Sequence, residues 1–142
     1  MSDAELLARA TAWAPAEKEA HGEAFNLTNG DVIRWRHMFE AIAKHCGLEI
    51  EEPQPVTLTE QMPLFAELWD EIVKKYGLRQ TSWLTLVDWN FGDAILVATS
   101  DNVSSTIKVR QAGFDGCYDT IDRTLELLDD LGEAHIIPKL KG

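Results

Sequence analysis

The sequence predicts a mostly helical α+β fold of about five helices with two or three short strands, forming a single domain over residues 1–142. Three observations lead there. Apolar residues recur at three- and four-residue spacing over several long stretches, as one face of a helix requires. The apolar runs between them are short and bounded by Gly, Asn or Pro, too few for a complete doubly wound sheet. The 142 residues, 45% of them hydrophobic, suit one domain with its own core.

The elements follow in order. Ser2 and Asp3 are good caps for a helix carrying Ala4, Leu6, Leu7, Ala10 and Trp13, ended by Pro15. Ala24–Leu27 is a strand candidate between Gly22 and Asn29-Gly30, expected to pair with Phe114–Tyr118 or with another chain. Asp31 opens a helix carrying Val32, Ile33, Trp35, Phe39, Ile42 and Cys46, stopped by Gly47. Leu48–Leu58, with Pro53 and Pro55, reads as an extended connector. Thr59 caps a third helix with Pro63 in its first turn and a stripe from Leu64 to Tyr76, closed by Gly77. Thr81–Ala98 is apolar on nearly all sides, and periodicity leaves a buried helix and a helix–turn–strand both open. Ser100 and Asp101 cap a helix from Asn102 to about Ala112. Asp119 or Thr120 caps the last one, through Leu131, before the tail His135–Pro138.

Charge separates function classes. Asp and Glu number 24 against 13 Lys and Arg, leaving 11 net negative charges. Such a surface repels phosphate backbones and anionic lipid, which argues against nucleic-acid and membrane partners. No apolar run approaches the roughly 20 residues of a membrane span. Met1–Ala10 has no basic segment before an apolar stretch, as a signal peptide would. With only Cys46 and Cys117, the expectation is a reducing cytoplasm and free thiols.

Motifs for chemistry are scarce. The nine glycines form neither G-x-G-x-x-G nor G-x-x-x-x-G-K-[ST]. His21, His37, His45 and His135 have no i, i+4 pair, so no metal site is expected. No G-x-S-x-G occurs, and neither cysteine has a basic neighbourhood. Most acidic pairs fit solvated faces. Asp93 differs. It sits among Trp89, Phe91, Ala94 and Ile95, and a carboxylate there needs a partner: a helix to cap, or Arg34 or Arg36. The five tryptophans (13, 35, 69, 83 and 89) serve either as core or as the walls of a pocket for a flat apolar ligand.

Five segments in order resemble one family. Ala24–Arg36 contains F-N-x-T-N-G-D-x-x-x-W. Leu6–Ala14 precedes it, and Leu68–Val73 and Trp89-Asn90-Phe91-Gly92-Asp93 (W-x-F-x-D) follow it. Ser105–Phe114, Asp119-Thr120 and Ile136–Pro138 complete the pattern. The chain thereby resembles the C-terminal part of progesterone 5β-reductase/iridoid synthase-like proteins, atypical extended short-chain dehydrogenase/reductases.

The resemblance implies the C-terminal, substrate-binding lobe of an extended Rossmann-type reductase without its nucleotide-binding domain. The full-length family reduces enones or carbonyls with NADP(H). Its glycine-rich loop and catalytic Tyr and Lys lie upstream. The usual Y-x-x-x-K also fails here, with Gln80 four residues after Tyr76 and Asp122 four after Tyr118. No catalytic, cofactor-binding or metal residue is therefore assigned in this chain, and it is expected to be inactive and without tight NADP(H) binding alone. Trp89, Phe91, Ala94 and Ile95 are assigned to an apolar substrate pocket, shared with the helix of Trp35 or Trp69. Asn90 and Gly92 depart from residues common in the family, so the pocket's shape differs. The partners implied are an apolar small-molecule substrate and either a separate nucleotide-binding domain or a second copy. The alternative is a stand-alone small-ligand-binding or protein-interaction module derived from that lobe.

Overall fold

The computed structural model describes residues 1–79, 81–97 and 100–140. The described residues form eight α-helices: α1 (Ala4–Trp13), α2 (Trp35–His45), α3 (Leu58–Gln61), α4 (Ala66–Tyr76), α5 (Trp83–Leu86), α6 (Trp89–Leu96), α7 (Ile107–Gln111) and α8 (Thr120–Glu133). Single 3-10 turns occupy Ala14–Ala16, Lys18–Ala20 and Met62–Phe65. Among the described residues there is no strand, which overturns the α+β expectation.

The reason lies in where the two strand candidates send their backbone groups. The Ala24 carbonyl accepts from Lys108 Nζ, and the Leu27 carbonyl from Ser2 Oγ. The Tyr118 N–H donates to the Asn29 carbonyl at 2.9 Å, two residues beyond Leu27 and so outside the strand candidate. Phe25 and Leu27 are half-buried against the core while Ala24 and Asn26 face out. The alternation expected of an extended piece is thus present, but side chains and the N-terminus hold it instead of a ladder.

The chain divides into two compact units, Met1–Ala41 with Asn102–Glu126 and Ile42–Asp101 with Leu127–Gly142. In the first, Leu6 and Ala10 of α1, Val109 of α7 and Phe114 form the core, with Trp13, Phe25, Leu27 and Tyr118 against it. Asp3 caps α1 as expected, accepting from Glu5 and Leu6 N–H. Asp31 does not open a helix, and α2 starts four residues later at Trp35. The Asp31 carboxylate instead accepts from the Thr120 N–H (2.8 Å) and hydroxyl, at the start of α8. Asp119 caps the same end, accepting from Ile121 and Asp122 N–H. The helix expected from Asn102 shrinks to Ile107–Gln111. Ser104, Ser105 and Thr106 precede it, and such side chains compete for backbone groups.

In the second unit α4 ends at Gly77, φ +62°, where the Leu78 N–H closes onto the Val73 carbonyl. The helix expected from Thr59 is divided into α3, a 3-10 turn and α4. Pro63 has no N–H to continue the α ladder. Thr81–Ala98 becomes two helices broken at Val87, with Asp88 capping α6 through the Phe91 N–H at 3.2 Å. Ala98 lies outside the described residues. Cys46 is half-buried, Cys117 exposed, and both are free thiols. His45 is half-buried and pairs with Asp129 at 2.7 Å.

Burial is sparse. Seven hydrophobic residues are buried among those described. The exposed surface is 10638 Å². Large apolar side chains stand exposed in both units, among them Val32 (76%) in the first and Leu64 (80%) in the second. Much of the apolar material counted in the sequence is therefore uncovered.

Candidate functional site

The W-x-F-x-D segment is helix α6. Its anchor is Asp93, which reaches the N-terminus of α3. Asp93 Oδ1 accepts from the Leu58 N–H at 2.7 Å, and Oδ2 accepts from the Thr59 N–H (3.1 Å) and hydroxyl (2.9 Å). The carboxylate thus caps a helix supplied by another segment, and Thr59, expected to be the cap, donates to it. Of the two partners the sequence offered Asp93, helix cap or arginine, the structure supplies the cap. These backbone and hydroxyl donors hold its pKa below the usual carboxylate range. Both oxygens are engaged, so Asp93 positions α6 and is not placed for proton transfer. Gly92 faces the Leu58 side chain. A Cβ there would lie 2.8 Å from Leu58 Cδ1.

At 100° per residue, α6 has two working faces. Trp89 and Asp93, four apart, share the inner one. Trp89 continues an aromatic row, with ring centroids 5.0 Å from Trp83, which is in turn 5.3 Å from Trp69. Trp69 donates its indole N–H to the Thr81 carbonyl, and Trp83 to that of Met62. The Trp89 Nε1 is buried without an acceptor among the described residues. Phe91, Ala94 and Ile95 lie on the other face. Phe91 is 65% exposed, Ala94 exposed and Ile95 half-buried. The structure therefore groups Phe91, Ala94 and Ile95 and separates Trp89 from them. A hollow of about 290 Å³ beside α6 is lined by Leu84, Thr85, Val87, Asp88, Trp89 and Asn90. It includes Trp89 and none of the other three. Trp35 pairs with Phe39 at 5.9 Å on α2.

The second motif, Asn29-Gly30-Asp31, is a clasp that sequence reasoning missed. Asn29 is buried. Its Oδ1 accepts from the Asp3 N–H at 2.7 Å and its Nδ2 donates to Thr120 Oγ1 at 3.0 Å. Gly30, at φ +108°, leaves no room for a side chain. A Cβ would sit 2.8 Å from the Arg110 guanidinium and 3.3 Å from Cys117 Cβ. Arg123 completes the clasp with bonds to Asp3, Glu5 and Glu126 at 3.0–3.1 Å, and lies over the Tyr118 ring at 5.2 Å. A signal existed in the sequence. Asn-Gly followed by Asp, with no second strand, fits a cap for a distant helix better than a hairpin turn.

A physical pattern links these sites. The starts of α1, α3, α6 and α8 are all capped by aspartate carboxylates. At those four starts a phosphate would meet negative charge. Among the described residues no group of three or more His, Cys, Asp or Glu gathers as metal ligands. No described helix is long and apolar enough to cross a membrane.

Acid should expose the clasps. Hydrogen bonding to Arg123 lowers the pKa of Asp3, and the Leu58 and Thr59 donors lower that of Asp93. A group whose folded pKa is depressed stabilises the fold above its unfolded value and stops doing so as pH falls through the folded one. Thermal midpoints followed downward from neutral pH should therefore fall mainly below the ordinary value of 3.8. Asp93→Asn should lower the midpoint at neutral pH and flatten that slope. An unchanged midpoint would show that Asp93 does not hold α3.

No family model matches the chain. Individual relatives do. Over 141 residues it is 32% identical to an (S)-8-oxocitronellyl enol synthase of Camptotheca acuminata, covering 96% of this chain and 36% of the relative. The corresponding synthase of Catharanthus roseus is 31% identical over 140 residues, with the same coverage. The 3-oxo-Delta(4,5)-steroid 5-beta-reductase of Arabidopsis thaliana is 30% identical over 140 residues, again covering 96% and 36%. The chain thus spans little more than a third of the length of these curated relatives. In the order of its motifs and along nearly its whole length, the chain is similar to a stretch of little more than a third of these progesterone 5β-reductase/iridoid synthase-like enzymes.

Proposed function

We propose that this chain is the substrate-binding part of an NADP(H)-dependent reductase of enones or carbonyls, inactive by itself. The observation that carries this reading is the mismatch of coverage: 96% of the chain aligns, to only 36% of each enzyme. Its own residues suit substrate contact better than chemistry. Phe91, Ala94 and Ile95 offer an apolar face for a flat ligand, which gains affinity from buried area. Trp89 and Asp93 hold that face in place. Four helix starts bear carboxylates where pyrophosphate needs free N–H groups, and the sequence has no glycine-rich loop, which together disfavour NADP(H) on this chain. The cofactor and the hydride it delivers would be held by residues other than these, in a cytoplasmic setting consistent with two free thiols.

Titration of the purified chain should give no saturable heat with NADPH and saturable tryptophan quenching with a steroid enone. Phe91→Ala should weaken that quenching by about tenfold, the loss of roughly one large apolar contact. Phe91 is exposed, so the change leaves the fold intact. Micromolar NADPH binding, or equal quenching in wild type and variant, would sink the proposal. The uncovered apolar surface favours a second reading, an interaction module built on the same lobe.

A further inference from the structure

We infer that Ala24–Thr28, in the first unit, is an open edge that receives an extended strand from the part of the reductase outside this chain. The edge follows from the geometry, and the source of the strand rests on the function proposed above. In an extended backbone the N–H and C=O of one residue point to one side and those of its neighbour to the other. The side of Leu27 and Asn29 is covered. The Leu27 carbonyl accepts from Ser2 Oγ at 2.8 Å, and the Asn29 N–H donates to the Met1 carbonyl at 2.9 Å. The side of Asn26 and Thr28 is bare. Their N–H and C=O groups have no partner among the described residues, and Lys108 closes that side only at the Ala24 carbonyl. No proline or lysine lies within Ala24–Thr28 to guard the edge.

A hollow of about 440 Å³ adjoins the same segment. Phe25 and Leu27 line it with Trp13, Pro15 and the buried Ala10 and Val109. A strand laid along the bare side sets its alternate side chains on the face of Phe25 and Leu27, where the hollow takes one large apolar residue. Main-chain bonds then give affinity and the hollow gives selectivity, as in strand addition. A small apolar ligand would fill the hollow and leave the Asn26 and Thr28 groups unanswered. The N-terminus identifies the occupant. Met1 and Ser2 bond to Asn29 and Leu27, so in a longer relative the residues upstream of this stretch would enter beside this segment. Only 36% of each relative aligns, which leaves most of it to supply the strand.

Amide hydrogen exchange on the full chain, read by NMR, tests the edge with a six-residue peptide of alternating valine and lysine as probe. Saturating peptide should slow the Asn26 and Thr28 amides by about tenfold or more and leave those of Phe25 and Leu27 unchanged. Methylating alternate peptide nitrogens, or Asn26→Pro in the chain, removes a ladder donor and should weaken binding about tenfold. Asn26→Ala keeps the backbone and should bind as the wild type does. Slowing of all four amides alike, or of none, overturns the edge. To test the source, the chain is joined behind the upstream residues of the Camptotheca acuminata synthase. The same alternation should then appear without peptide, and free exchange at Asn26 and Thr28 in the fusion overturns the assignment to the reductase. Phe91 lies in the second unit, so loss of enone quenching and loss of strand binding are separate failures.

Discussion

Asn29→Ala should lower the unfolding free energy by about 3 kcal/mol, read as a shift of the urea midpoint at constant slope. The side chain is 4% exposed and satisfies two buried groups at once, the Asp3 N–H and the Thr120 hydroxyl. Alanine restores neither bond: the buried Asp3 N–H left unpaired costs roughly 1–3 kcal/mol, and the Thr120 hydroxyl, still bonded to Asp31, loses one further bond worth about 1 kcal/mol. Domains are stable by only about 5–15 kcal/mol, so the variant should lose a large share of its margin. Asn26→Ala is the matched control. That residue is exposed, and its replacement should move the midpoint by less than about 0.5 kcal/mol. Equal effects at the two positions would show that the clasp does not organise the first unit.

Trp69→Ala should cost about 4 kcal/mol by the same measurement, as buried Trp→Ala changes commonly do. Trp69 is 6% exposed, packs on Trp83 and donates to the Thr81 carbonyl at 2.8 Å. Trp69→Phe keeps a ring and loses the N–H, so it should cost only about 1–2 kcal/mol. The two variants therefore separate packing from hydrogen bonding in the second unit. An alanine variant no less stable than the phenylalanine one would mean that the aromatic row is not its core.

Local order was legible where local residues create it. Asp3 before Ala4 marks α1, because a carboxylate one residue ahead satisfies the helix's own N–H groups. Gly47 and Gly77 mark the ends of α2 and α4, because only the left-handed backbone closes those carbonyls cheaply. The family was legible as well, since its motifs keep their order along the chain. The sequence placed Trp89, Phe91, Ala94 and Ile95 on one short segment; the helical turn then put Trp89 on a different face from the other three. What the sequence left open depends on partners distant along the chain. Asp31 reads locally as the start of α2, yet it caps α8, 89 residues away. Asp93 caps α3, 35 residues upstream. Ala24–Leu27 has the composition of a strand and forms none, because a ladder needs a neighbouring backbone and the structure supplies Lys108 and Ser2 instead. A side chain's residue type and local spacing establish that it can cap, pair or pack. Which donor it meets is decided by tertiary contacts, and for aspartates whose carboxylates suit any helix start, those contacts alone assign the role.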